Sequence, residues 1–321
     1  MDRSDYSVFH EMMPIFAYSF SSRGFENLPE RLSLHLPSVP DVYLVSLYDY
    51  RYLLHACQII SGSDSRIRIW DSGGYETSKD DDLSSHFSAI AGSEPWCEET
   101  YVETACSIPW NMRDILVSYD AYENPASRPV SKQLEDACLL FEQIPGHYLR
   151  DALLHVDHTV DIRSLVNDLS KFEGCFDILG FTEKDVAATW FNGINFIADV
   201  RSELDKKLKQ YMPLHLFGCF DPKSMVYFYL AGADIFDGLS WLRYFIHGRS
   251  TSYIREYEAY VPFAQLSQLK VYRDEVVANN VNVLQQLRSD LSFSARTGDF
   301  TSFADEMDYV QNLLANRGVV S

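Results

Sequence analysis

Three observations predict an α/β protein built as a closed (β/α)8 barrel with a C-terminal helical cap. Eight short apolar segments recur over about 225 residues, amphipathic stretches separate them, and the count and size suit parallel strands that each feed a helix. The strands expected are "MPIFAYSF" (13–20), "DVYLVSLYD" (41–49), "RIRIWDS" (66–72) and "DILVSYD" (114–120). They continue as "ALLHVDH" (152–158), "CFDILGF" (175–181), "PLHLFGC" (213–219) and "ADIFDG" (233–238). Helical periodicity marks 131–144, 160–172 and 184–211 between them. An open doubly wound sheet is the alternative that the same alternation allows. Residues 252–321 break the pattern and read as helices, so the chain divides into a barrel over 1–251 and a helical region packed on it over 252–321.

Composition narrows the function. With 321 residues, 46% of them hydrophobic and 14% aromatic, the chain can bury a large core. No apolar run approaches the roughly 20 residues of a membrane span, and "MDRSDYSVFHEMMP" has no signal-peptide pattern. The six cysteines (Cys57, Cys97, Cys106, Cys138, Cys175, Cys219) form no C-x-x-C pair, which argues against a disulfide framework or a thiolate zinc site and fits a cytoplasmic protein. The net charge of −19 means that the average surface repels phosphates, so a nucleic-acid partner would need a local basic patch.

The acids carry the chemistry. In "RIRIWDSGGYETSKDDD" (66–82) an apolar strand runs into Asp71, Ser72, two glycines and Tyr75. A carboxylate ending a buried strand is costly unless it is used, and paired glycines let the backbone pass close to something. Three more expected strands end near Asp120, Asp157 and Asp237. One such aspartate is ordinarily a helix cap or turn-former. Four on the C-terminal rim of a barrel point to acid–base or nucleophilic work, since crowded carboxylates raise each other's pKa values. Magnesium binding by these oxygens is the competing reading, but no defined metal motif is present.

These stretches resemble the tRNA-guanine transglycosylase family. The resemblance rests on "DSGGY", "YDAYENP" and "PLHLFGCFDPKSMVYFYLAGADIFDGLSWLRY", and runs in the family's order from about residue 13 to 245. It implies a TIM-barrel pentosyltransferase that replaces guanine in a nucleic acid with a 7-deazaguanine base, without a cofactor. It also implies a double displacement with Asp237 as nucleophile and Asp71 as acid/base, as in retaining glycosidases. Asp120, beside Ser72, would read the N–H edge of the base, while Tyr75 and Phe217 would sandwich it and Leu179 and Gly180 would offer backbone groups. Asp157 replaces a glutamine, with His155 or His158 at hand to contribute.

The departures shape the expected partners. The family's zinc subdomain is absent: no cysteine follows Cys219, and Asn279 and Asn280 stand where a ligand histidine is expected. Packing of Val281, Val283, Leu284 and Leu287 would replace the metal brace, so no metal is expected. Loss of that tRNA-holding element favours DNA over tRNA, in line with the paralogous branch that modifies DNA. Arg243, Arg249 and Arg255 would meet phosphates, with a protein partner supplying the rest. The alternatives are the same chemistry on tRNA or on a free nucleoside or nucleotide, and a non-catalytic transglycosylase-like subunit.

Overall fold

The structure is a computed structural model. It describes residues 11–23, 27–55, 60, 66–78, 94–122, 125–259 and 269–316, except the side chains of 255, 258–259 and 269–273. Eight strands close a parallel barrel in sequence order: β1 (Ile15–Phe20), β2 (Val42–Ser46), β3 (Ile67–Asp71), β4 (Asp114–Val117), β5 (Leu149–Leu154), β6 (Ile178–Thr182), β7 (Leu214–Phe217) and β8 (Ile235–Gly238). Closure comes from β1 pairing with β8, where Ala17 faces Asp237. The barrel is the predicted fold, and each strand overlaps its expected segment.

Parallel strands covered by helices are buried on both faces, which is why these segments read as continuous apolar runs. Alternate residues point inward. Ile15, Ala17, Val42, Leu44, Ile67, Ile69, Ile115, Val117, Ile178 and Ile235 fill the interior, and the intervening residues, such as Phe16, Tyr18 and Trp70, pack under the helices. Among these helices are α1 (Leu28–His35), α2 (Glu98–Cys106), α3 (Val130–Gln143), α4 (Ile162–Ser170), α5 (Trp190–Lys207) and α6 (Pro222–Ala231).

Several details depart from expectation. The helix expected over 184–211 is split, because Thr189 caps α5 by accepting from Asn192 N at 3.1 Å. The fifth strand starts and ends earlier than expected, at Leu149–Leu154. Cys138 on α3 and Cys175 before β6 form a disulfide, with Cα atoms 5.7 Å apart across a separation of 37 residues. Their spacing carries no motif; only the adjacency of α3 and the segment after α4 brings them together. After β8 the chain makes an unforeseen antiparallel hairpin, β9 (Tyr244–His247) and β10 (Ser250–Tyr253).

The C-terminal helices α7 (Leu269–Thr297) and α8 (Ala304–Ala315) lie against the barrel. Val281, Leu284 and Leu287 are buried in the same core as the barrel's outer layer, with Val283 half-buried beside them. Asn280, fully buried, accepts from Ile246 N at 2.7 Å and donates to Trp241 O and Tyr244 O at 2.8 and 2.6 Å. Asn279 donates to Ile246 O at 2.9 Å. These amides bind the hairpin to α7. At the other end of the barrel Arg288 donates to Pro14 O, Met12 O and Asp41 Oδ2.

Asn280→Ala should orphan three buried backbone groups. At about 1–3 kcal/mol for each unpaired group, partly relieved by water, we expect a loss of about 2–4 kcal/mol in urea unfolding, with Leu284→Ala as a packing control.

Candidate functional site

The C-terminal mouth of the barrel gathers the acids. Asp237 sits on the inward phase of β8 and accepts on both oxygens: Ser19 Oγ donates to Oδ2 at 2.8 Å and Gly218 N to Oδ1 at 2.9 Å. His215 Nε2 lies 3.4 Å from Oδ1. Asp71, at the end of β3, faces both other acids. Burial first, then the charges of Asp120 and Asp237, push its pKa up to about 7, against hydrogen bonds from Gly73 N and Ser72 N.

The stretch after β3 shows what its two glycines do. Gly73 takes φ +88°, which turns the chain so that Ser72 meets Asp120. At Gly74 any side chain would run into the Asp120 carboxylate. Gly74 N donates to Ser72 Oγ at 3.1 Å, and Ser72 Oγ donates to Asp120 Oδ1. The tight passage sets a hydroxyl and a carboxylate side by side at the mouth.

Sequence reasoning missed much of the polar network. On its other oxygen Asp120 meets His155 Nε2 at 3.0 Å, and His155 Nδ1 lies 2.8 Å from Asp185 Oδ2. Burial opposes the charged imidazole, yet its bonds to Asp120 and Asp185 outweigh it and carry the His155 pKa to about 9. Within the barrel, His215 Nδ1 lies 2.7 Å from Asp151 Oδ2, and both side chains are fully buried. Glu183, just beyond β6, joins the rim; burial pushes it up to about 7, with Asp221 and Asp237 adding to the rise. One signal could have exposed His215 and Asp151: each is a lone ionisable residue on the inward phase of an apolar strand.

Other expected site residues fall as follows. Asp157 does not end a strand. Because β5 ends at Leu154, Asp157 lies three residues beyond it, exposed, where its carboxylate accepts from Thr159 N at 2.7 Å and shapes a turn. His155 takes the position expected for it. Gly180 faces inward against Phe217, whereas the Leu179 side chain packs outward and its N–H is spent on Pro213 O at 3.0 Å. Phe217 lies inside the barrel, stacked on His215 with ring centroids 3.7 Å apart.

Tyr75 is half-buried at the rim beneath the Arg23 guanidinium, 4.9 Å from the ring centroid, and its hydroxyl accepts from Arg243 Nη2 at 3.0 Å. Arg243 is therefore engaged within the site. Arg249 is tied to α8, pairing with Glu306 at 2.5 Å and donating to Ser302 O at 2.6 Å, so its role is to hold that helix rather than to wait for a phosphate. The Arg255 side chain lies outside the described residues. Among the described residues no group of three or more His, Cys, Asp or Glu side chains is arranged to hold a metal ion.

This arrangement can hold one carboxylate as an acceptor, Asp237, beside another that keeps its proton into neutral pH, Asp71. Such a division suits nucleophilic attack paired with proton transfer. No family model matches the chain, and no curated protein matches its sequence.

Behind Asp71 lies a further acid pair. Asp49 and Glu76 are both buried; Ser21 Oγ donates to Glu76 Oε1 at 2.5 Å and Ser22 N to Asp49 Oδ2 at 2.8 Å. Burial, then the Asp49 charge, raises Glu76 well above the usual range, while burial lifts Asp49 to about 6. The folded state holds these protons more tightly than the unfolded chain, so their contribution to stability falls as pH rises from about 4 through the folded pKa values. Glu76→Gln should remove much of that loss, raising the thermal midpoint at pH 8 with little change at pH 5. Calorimetry at the two pH values checks this.

Proposed function

We propose that the protein is a base-exchange transglycosylase that replaces guanine with a 7-deazaguanine base through a covalent aspartyl-glycosyl intermediate. The observation that carries this reading is the gathering of Asp71, Asp120 and Asp237 at one barrel mouth, with Asp71 held protonated between the other two. In the first half-reaction Asp237 attacks the sugar C1′ as the bond from C1′ to the purine breaks, and Asp71 passes its proton to the departing base. In the second, the incoming base returns a proton to Asp71 and displaces Asp237 from C1′. Asp120, Ser72 and His155 line the place where the base edge would lie, with Tyr75 and Phe217 near its faces.

The substrate we favour is guanine within DNA, because the Asn279–Asn280 brace stands where a tRNA-holding zinc subdomain would be expected. A second reading, the same exchange on a free nucleoside or nucleotide, draws support from the basic residues. Arg243 and Arg249 are engaged within the protein and the net charge is −19, which suits a substrate with few phosphates.

Labelled guanine or a labelled 7-deazaguanine, incubated separately with DNA, tRNA and nucleosides, tests the reaction and its acceptor together. We expect incorporation into DNA; labelling of tRNA alone would overturn the choice of polymer, and labelling of nucleosides alone would favour the second reading. Asp237→Asn should abolish exchange by about 4 kcal/mol or more of lost transition-state stabilisation while leaving the fold intact. Denatured wild-type protein quenched during turnover should carry a glycosyl adduct at Asp237 by mass spectrometry. Asp120→Ala should weaken use of the free base by about 1–3 kcal/mol, read from its apparent affinity.

A further inference from the structure

We propose that His215, backed by Asp151, is the positioning residue that aims Asp237 and balances its charge, so that nucleophile and proton donor stay distinct although their carboxylates share one mouth. The proposal rests on the base-exchange reading for its chemistry, and on the barrel interior for its geometry.

His215 is wholly enclosed and lies between two carboxylates on different strands. Nδ1 is 2.7 Å from Asp151 Oδ2 on β5 and Nε2 is 3.4 Å from Asp237 Oδ1 on β8. Strand β6 intervenes between β5 and β7, and the residue beside His215 there is Gly180. A Cβ at Gly180 would come within 3.0 Å of Asp151 Oδ1 and would collide with the Phe217 ring. The missing side chain opens the lane through which Asp151 reaches His215. Phe217 stacks on the imidazole face, with ring centroids 3.7 Å apart and planes 28° from parallel.

Two further acids approach this line. Asp71 reaches Asp237 from β3, and Glu183 from just after β6. Burial disfavours a charged His215, but Asp151 and Asp237 outweigh it and carry its pKa to about 9. Burial raises Asp151 as well, with the Asp237 charge adding to the rise, while the imidazolium beside it pulls the other way. The imidazole thus stands between two carboxyl groups, both placed to favour its charged form. Nε2 has no hydrogen-bond partner within reach of good geometry in this state, so it is free to tighten on Asp237 as the carboxylate leaves C1′ in the second displacement.

Histidine-selective nitrogen NMR of the wild-type protein tests the arrangement without any substrate. His215 should remain imidazolium at pH 8, and Asp151→Asn and Asp237→Asn should each lower its titration midpoint by about one pH unit or more. A wild-type midpoint near 6.5, or one indifferent to both substitutions, overturns the proposal. Activity gives the second arm. His215→Gln, which retains a side-chain amide donor, should keep more of kcat than His215→Phe, with KM for the base little changed. In His215→Phe the acid limb of the kcat/KM profile should move upward by about one pH unit or more. Equal loss in both variants, with unchanged pH limbs and intact circular dichroism, would make His215 merely structural. If the wild-type protein exchanges no base at all, the base-exchange reading fails, while the NMR arm still decides whether the imidazolium bridges Asp151 and Asp237.

Discussion

The interaction on which the site depends is the charged line from Asp151 through His215 to Asp237, set into an otherwise apolar barrel. Isoleucine, valine, leucine and alanine fill the interior below it. Ions buried in such surroundings are tolerated only when each faces an opposite charge at short range. That requirement ties together three strands. Asp151 must reach past β6, so the facing position there is glycine; the imidazole must be held edge-on, so Phe217 lies flat against it. Asp237 is then held from its flanks by Ser19 and Gly218, with His215 Nε2 3.4 Å away beneath it.

The mouth repeats the same device. Asp120, His155 and Asp185 form a second carboxylate–imidazole–carboxylate line, nearer the rim and partly accessible. Asp71 stands between the two lines, where burial first and then the charges of Asp120 and Asp237 keep its proton into neutral pH. Two acids each beside an imidazole and one flanked by acids is a chemical asymmetry produced by packing alone, since the three side chains are identical. Aspartates become distinct tools when burial and neighbours separate their preferred protonation states.

The wider electrostatics follow from where the cations are used. Arg68 is buried against Asp114 in a bidentate pair, Arg201 is held by Asp234, Arg288 by Asp41 and Arg249 by Glu306. These arginines hold the layers together: Arg288 and Arg249 bind the C-terminal helices to the rest of the chain. With so much positive charge spent internally, a net charge of −19 falls mainly to the surface. The Asn279–Asn280 amides serve a similar bracing purpose without charge, binding α7 to the hairpin after β8.

The sequence by itself determined the architecture, because strand burial on both faces and helical periodicity are local properties that a linear reading detects. It also determined that Asp71, Asp120 and Asp237 would meet, since a closed parallel barrel delivers strand ends to one rim. Tyr75 and Phe217 were singled out as base-stacking residues and Arg243 as a phosphate contact, but their contacts with Arg23, with one another and with His215 were not legible. Asp157 misled because β5 ends at Leu154, a boundary that apolar patterning cannot place to within three residues. His215 and Asp151 lie 64 residues apart and Cys138 and Cys175 lie 37 apart. Their partnerships arise only when β1 closes on β8 and the helices settle around the barrel. Local pattern reports which face a side chain prefers; which charge it meets there is decided by the closure of the whole sheet.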